Sequence, residues 1–156
     1  EASFTSPAVE VVAFFQAECF CLLPPNHRLE SKAVIRPHDL ADEIFISLGK
    51  GSHTRMLIDA VFENAKVQRK CQIDTTLASS AGGMVLEGIG VSILDEITAK
   101  KFEKQGAIVR QFRPLVHFLF RSLFSRYSQK LKLEHQFHNA FMQVLPETVK
   151  VIKEIS

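Results

Sequence analysis

The sequence predicts an α/β fold built on an open sheet covered by helices. Three observations predict it. Short apolar runs alternate with segments of helical periodicity across residues 43–94. Residues 83–94 lead from an apolar helix end through Gly88 and Gly90 into Val91-Ser92-Ile93-Leu94, a strand buried on both faces. Finally, 46% hydrophobic residues in a chain of 156 supply a core and argue against disorder. In such sheets small ligands sit at strand ends and helix N-termini, so the pattern suggests a binding lobe before it suggests an enzyme.

The elements follow in order. Residues 1–7 form an irregular entry. Val9–Phe15 and Cys19–Leu23 read as two strands, with a hairpin-like reversal at Gln16-Ala17-Glu18, and Pro24-Pro25 stops the second. Residues 26–39 are polar and read as a loop, and His38–Ala41 forms a helical turn entered behind Pro37. Glu43–Leu48 is a strand. Gly49-Lys50-Gly51-Ser52 turns the chain, and Ser52 caps a helix from His53 to Ala65. Its inward stripe reads as Met56, Leu57, Ala60 and Val61, with Asp59 and Glu63 on another face.

Gln68–Asp74 alternates polar and apolar residues, as an amphipathic strand near a sheet edge does. After Thr75-Thr76 comes a helix with Leu77, Ala78, Ala81, Met84 and Val85 on one side. Gly82-Gly83 inside it cost about 1 kcal/mol each against alanine, which calls for close packing against a neighbouring element. Gly88 ends this helix with a positive φ, and Gly90 admits a close backbone approach. Asp95 caps a short helix through Phe102, and Gly106 ends it. Ile108–Phe112 and His117–Phe124 are strands. The last helix covers Ser128 to Leu145, with Leu133, Phe137, Ala140, Phe141 and Val144 inward. Pro146 ends or kinks it, and residues 147–156 prolong it or fray.

Composition narrows the function. The net charge is +2 and no Lys/Arg block stands out, so this chain by itself carries no nucleic-acid footprint. Thirteen Phe, one Tyr and no Trp favour buried aromatics over a stacking platform. Three cysteines without a CxxC argue against a disulfide scaffold or a zinc site. Cys19 and Cys21 share a strand face and read as buried, reduced thiols of a cytoplasmic protein. No apolar run approaches the ~20 residues that span a membrane, and no signal segment opens the chain.

Three stretches resemble a known family. Phe20-Cys21-Leu22-Leu23-Pro24-Pro25-Asn26-His27-Arg28-Leu29 is similar to the strand and "LPPxHPL" turn of the effector-binding domain of LysR-type transcriptional regulators. Ile35-Arg36-Pro37-His38-Asp39-Leu40-Ala41-Asp42-Glu43-Ile44-Phe45-Ile46-Ser47-Leu48 is similar to that family's "xxxDLAxExFIxL". Met84-Val85-Leu86-Glu87-Gly88-Ile89-Gly90-Val91-Ser92-Ile93-Leu94 is similar to its "MVxxGxGVSxLP". The three occur in family order at family spacing. Asp95 stands where the family usually has Pro, and Arg28 replaces another Pro.

The resemblance implies a two-lobed fold like that of periplasmic binding proteins, with a small ligand between lobes joined by two crossover strands. It implies a complete second lobe and a partial first lobe. Residues 1–36 would be the late part of the first lobe and the first crossover, 37–106 the second lobe, and 107–156 the second crossover and the C-terminal part of the first lobe. The first half of the first lobe and an N-terminal winged helix-turn-helix are expected to precede this chain, so DNA would be reached only through that N-terminal domain.

The strongest site candidate is Gly49-Lys50-Gly51-Ser52-His53-Thr54. A helix N-terminus favours a carboxylate, and the Ser52 and Thr54 hydroxyls add donors. The plain alternative is an ordinary capped helix behind a flexible turn. Thr75-Thr76 form a second strand-to-helix junction in the same lobe, where the family places effector contacts. The expected effector-binding residues are therefore Gly49, Ser52, His53, Thr54, Thr75 and Thr76, with His53 either a ligand contact or a surface residue. No catalytic constellation is found: no serine sits in GxSxG, and Gly49-Lys50-Gly51-Ser52 lacks the GxxxxGK[ST] spacing of a phosphate loop. No histidine pair has HxxxH or HExxH spacing, and His135 and His138 read as an exposed helix face. No cofactor and no metal are expected.

The reading is an effector-sensing domain that binds a small carboxylate or amino-acid-like metabolite and changes the arrangement of a regulator oligomer. The pattern around Ser47-Leu48 and Thr75-Thr76 looks closest to the branch that senses lysine-like amino acids and opines. The rival is a solute-binding protein for amino acids or organic acids, which the residues preceding Glu1 would decide. A homodimer or tetramer is expected, paired through helix 53–65 and strand 67–74. Ile58, Phe62 and Arg69 are its interface candidates, because Ile58 and Phe62 widen the apolar face of the helix.

Overall fold

A strand that pairs at both of its ends organises the chain. The structure, a computed structural model, describes residues 7–127, 131–144 and 150–154. Strand β1 runs unbroken from Val9 to Leu23. The reversal expected at Gln16-Ala17-Glu18 does not form, because that tripeptide has no turn former and continues the strand's alternation. Phe15, Ala17, Cys19 and Cys21 are buried, while Gln16, Glu18 and Phe20 are less so.

The described residues divide into two compact units, Glu18–Phe118 on the one hand and Glu1–Ala17 with Leu119–Ser156 on the other. In the first unit, β2 (Val34–Ile35), β6 (Ile108–Phe112), the end of β1 and β5 (Ser92–Asp95) lie side by side in that order. β2 pairs parallel with β6, and β1 pairs antiparallel with both β6 and β5. The two residues of β2 lie inside the segment expected to be loop throughout.

The same unit holds β3 (Ile44–Leu48), α1 (His53–Asn64), β4 (Lys70–Thr75), α2 (Ala78–Leu86) and α3 (Glu96–Glu103). β3 and β4 form a parallel pair. Val91, just before β5, bridges to Phe45: Ile46 N–H donates to its carbonyl at 2.8 Å, and its own N–H donates to Ile44 O at 2.9 Å. The expected strands over 43–94 are all present, and β4 is an edge strand of its two-stranded pair. A 3₁₀ turn at Pro37–Leu40 occupies the place of the expected helical turn, with Asp39 accepting from the Arg36 N–H at 2.8 Å.

The glycines behave as expected at three places. Gly88 has φ +77°, Gly106 has φ +107°, and Gly90 lies so close to Ile44 O that a Cβ would sit 2.4 Å from it. Asp95 caps α3, accepting from Thr98 N at 3.0 Å.

Two helix faces differ from expectation. On α1 the buried residues are Thr54, Arg55, Ile58 and Phe62. Of the expected stripe, Leu57 and Val61 are partly buried against the core, but Met56 is 57% exposed and Ala60 is exposed, whereas Ile58 and Phe62 are 2% exposed in a core with Phe45, Cys19, Cys21 and Phe112. The Arg69 side chain is 8% exposed, its guanidinium over the rings of Phe45 and Phe62 at 4.8 and 4.6 Å. The expected interface through Ile58, Phe62 and Arg69 is therefore corrected at Ile58 and Phe62, which the core of this unit uses, while Arg69 lays its guanidinium over the Phe45 and Phe62 rings. The aromatic pair on β3 and β6 draws the bulkier Ile58–Phe62 stripe inward, and the smaller Met56–Ala60 stripe is left outside. On α2, Leu77 is 60% exposed as the N-cap, while Ala81, Gly82 and Val85 are buried.

In the second unit, β1 residues 13–16 pair antiparallel with β8 (Lys150–Glu154), and β7 (His117–Ser125) also pairs with β1. Residues 150–154 are thus a strand rather than a helix extension. α4 spans Leu131–Val144. Its expected inward face is mostly open: Leu133, Phe137 and Val144 are exposed, Phe137 at 70%, while Phe141 meets the buried Phe15 edge-to-face at 5.8 Å. His138, expected on an exposed face, is buried and meets the Phe124 ring edge-to-face at 5.8 Å. Helical periodicity marks an apolar face but does not choose which face meets the sheet. Ser128, Leu145, Pro146 and residues 147–149 lie outside the described residues, as do 1–6 and 155–156.

Candidate functional site

β3 and β4 end side by side, with Ser47 opposite Asp74 and Leu48 opposite Thr75. Each strand leads into a helix. Phe45 packs with Ile58 and Phe62 of α1, whereas Ile46 and Leu48 pack with Ala81 and Val85 of α2. Successive strand side chains face opposite ways, so α1 and α2 cover opposite faces of the pair. Where connections leave adjacent parallel strands to opposite faces, a crevice opens at the carboxyl ends, the general location of ligands in open α/β sheets.

The two junctions touch. Gly49 N–H donates to Thr75 O at 2.8 Å, and Thr76 Cγ2 lies 3.8 Å from where a Cβ on Gly49 would stand. The structure thus brings Gly49, Thr75 and Thr76 together, with Ser52, His53 and Thr54 following in the next turn of chain. The six differ in what they present. Ser52 is half-buried and caps α1, accepting from Arg55 N at 3.4 Å, which leaves its O–H free to donate. His53 and Thr76 are exposed. Thr54 is buried, so its side chain is not the solvent-facing donor that the sequence suggested. Thr75 Oγ1 accepts from Leu77 N at 3.4 Å.

α2 starts without a side-chain cap, since Leu77 supplies none. Its first N–H groups, at Ala78 and Ser79, have no partner within the helix, and the peptide dipoles add partial positive charge there.

A charge network that sequence reasoning missed lies beneath these loops. The buried Arg55 donates from Nη1 to Leu48 O at 2.8 Å and to Asp74 Oδ1 at 2.7 Å, and from Nε to both oxygens of Asp59 at 2.7 and 2.8 Å. Asp59 also accepts from Arg69. The i,i+4 spacing of Arg55 and Asp59 was a legible signal, but nothing local ties either residue to Asp74, nineteen positions on from Arg55. Ser47, opposite Asp74 in the register, holds a buried hydroxyl without a hydrogen-bond partner.

Other chemistry is limited. Burial, aided by the Asp95 and Glu18 carboxylates, pushes the Cys19 thiol up to about 12. Burial, with Glu43 and Asp39, pushes Cys21 up as well. Both thiols are free and stay protonated near neutrality, so neither is a poised nucleophile. Among the described residues no cluster of three or more His, Cys, Asp or Glu could hold a metal, and no helix is long and apolar enough to cross a membrane. A hollow of about 640 Å³ lies in the other unit between β7 and α4, lined mostly by Leu123, Phe124, Leu133, Phe137 and Phe141. It contains none of the residues expected to bind effector.

Comparison with known proteins gives this geometry a context. The family described as LysR substrate binding domain matches residues 2–149. The chain is 29% identical over 155 residues to the transcriptional activator protein LysR of Escherichia coli (strain K12), covering 99% of this chain and 50% of that protein. It is 35% identical over 136 residues to the regulatory protein NocR of Agrobacterium tumefaciens (strain T37), covering 87% of this chain and 45% of that one. The chain therefore spans about half the length of the curated relatives it matches. Both relatives are named as regulators rather than enzymes. In fold it is similar to the effector binding domain of QuiR in complex with shikimate, with a TM-score of 0.71 at 20% identity, covering 92% of this chain and 69% of that one. The three motifs, the α/β order and a family match over nearly the whole length agree: this chain belongs to the LysR substrate-binding domain family.

Proposed function

We propose that this chain is the effector-sensing part of a LysR-type transcriptional regulator, and that it binds a small carboxylate or amino-acid-like metabolite where β3 and β4 give way to α1 and α2. Gly49, Ser52, His53, Thr75 and Thr76 form this surface, together with the Thr54 backbone. The observation that carries the reading is the Gly49–Thr75 hydrogen bond, which joins two strand-to-helix junctions into one edge. That edge offers hydroxyl and backbone donors beside two helix starts, the chemistry that suits an anionic group. The shikimate complex of QuiR, a protein of the same fold, supports a small hydroxylated carboxylate as the kind of ligand.

Within this reading residues 37–106 are the second lobe, a span that lies inside the compact unit Glu18–Phe118. Residues 1–36 and 107–156 provide the crossovers and the later part of the first lobe. The protein works in the cytoplasm as a homodimer or tetramer and reaches DNA through an N-terminal domain. Ligand binding shifts the oligomer's arrangement only through its unequal affinity for the two arrangements.

Calorimetry of the chain against a panel of amino acids and organic acids tests the site. A ligand that binds is expected to lose about ten-fold or more in affinity in Thr75→Ala, the loss of a hydrogen bond to a charged group. Unchanged affinity in Thr75→Ala and Thr76→Ala would place the site elsewhere.

A further inference from the structure

We propose that Arg55 is a positioning residue of this edge: it neutralises Asp74 and ties the β3–α1 and β4–α2 loops together, so that an anionic group is admitted beside Thr75. The inference rests on the site reading above and deepens it.

Asp74 immediately precedes Thr75 and is the carboxylate nearest in sequence to the second junction. Its side chain is 47% exposed. A carboxylate at that point repels an incoming anion unless a cation stands against it. Arg55 stands there, 2.7 Å from Asp74 Oδ1, and is itself buried. The same Nη1 reaches Leu48 O, the last carbonyl of β3, at 2.8 Å. One guanidinium thus holds the end of β3 and the end of β4 from the first turn of α1. A lysine cannot reproduce this, since a single ammonium lacks the planar fork that serves Asp59 and Asp74 at once.

In this network Arg55 faces Asp59 and Asp74, and Arg69 faces Asp59. Removing Arg55 takes one positive charge from beneath the loops. The buried Ser47 hydroxyl independently marks this end of the strand pair as under-satisfied: it stands opposite Asp74 in the register and has no hydrogen-bond partner.

The test is an ¹⁵N NMR titration of the 156-residue chain with sodium sulfate at constant ionic strength, following the amides of Ser52–Thr54 and Thr75–Ser79. Wild type is expected to show saturable shifts at both sets. Arg55→Met is expected to bind sulfate about ten-fold more weakly, and adding Asp74→Asn to it to restore binding. Melting temperatures of the same variants separate the roles, since a merely structural Arg55 would lose sulfate binding only in step with stability. Asp74→Asn alone is expected to bind sulfate more tightly than wild type. Unchanged affinity in Asp74→Asn, or in a folded Arg55→Met, overturns the proposal, and so does a double variant that stays as weak as Arg55→Met. If the wild-type amides at both junctions ignore sulfate, the site reading itself has failed, a result distinct from the others, and the role of Arg55 falls with it.

Discussion

The ring of Phe102 fills the space that a side chain on Gly82 would need: a Cβ there would lie 2.1 Å from Phe102 Cε2. Gly82 is in α2 and Phe102 in α3, so the missing side chain is what lets the two helices approach. Gly83, its neighbour, faces open space. Gly82→Ala is expected to destabilise the chain by about 1–3 kcal/mol through overpacking. Gly83→Ala is expected to be neutral or to stabilise by up to about 1 kcal/mol. Urea denaturation of the two variants decides it, and the opposite order would refute this account of the α2–α3 contact.

Ile58 tests where α1 points. It is buried with Phe45 and Phe62 in the core. Ile58→Ala should cost about 2–5 kcal/mol of stability, measured by denaturant midpoint. A loss below about 0.5 kcal/mol, the range of surface substitutions, would return Ile58 to the surface.

Pairing between copies, if it uses α1 and the edge of β4, must involve the exposed Met56 and Ala60. Met56→Asp should then shift the molecule toward monomer in light scattering without lowering its melting temperature. A dimer indifferent to this charge rules that surface out.

Asp39 sets an acid limit on the segment around the 3₁₀ turn. Burial pushes its carboxyl up, but the hydrogen bond and charge of Lys32 and the Arg36 N–H outweigh this and hold it below the ordinary 3.8. A carboxyl lowered on folding contributes stability above its unfolded value and loses it as the pH falls through the folded one. Asp39→Asn should therefore be less stable than wild type at pH 7, and the gap should close below about pH 4. A gap independent of pH would mean that the carboxylate charge is not what stabilises the turn.

The buried thiols give the opposite sign. Cys19 is pushed up from 9.0 to about 12. A thiol raised on folding contributes stability that is complete below its unfolded value and is lost as the pH rises through the folded one. Native chain treated with iodoacetamide at pH 7.5 should leave Cys19 and Cys21 unmodified by mass spectrometry, and denatured chain should react at both. Rapid native labelling of either would contradict their burial.

Much of the fold was legible because its signals are local. The Ser52 and Asp95 caps, the φ of Gly88 and Gly106 and the stop at Pro24-Pro25 depend on residues a few positions apart. In sequence β1 reads as two strands because Gln16 and Glu18 form a short polar break. Their alternation with the buried Ala17 is equally the pattern of a continuing strand, and only the partners that β8 and β5 supply at either end distinguish the two. At the candidate site, Thr75-Thr76 and the Gly49–Ser52 turn were visible as strand-to-helix junctions. The Arg55–Asp74 pair was not, since it joins positions that meet only once β3 and β4 lie parallel.

The sequence by itself determined the order of strands and helices over residues 43–112, the Ser52 and Asp95 caps and the family, because each is written in short-range patterns of residue type. Tertiary structure alone decided which apolar stripe of α1 and α4 is buried, since a helix with two candidate faces takes the one whose shape its neighbours fit. It decided likewise that Gly82 yields to Phe102 and Gly90 to the Ile44 carbonyl. It also brought Gly49 against Thr75 and Arg55 against Asp74, because contacts across the ends of two strands exist only after the strands have paired.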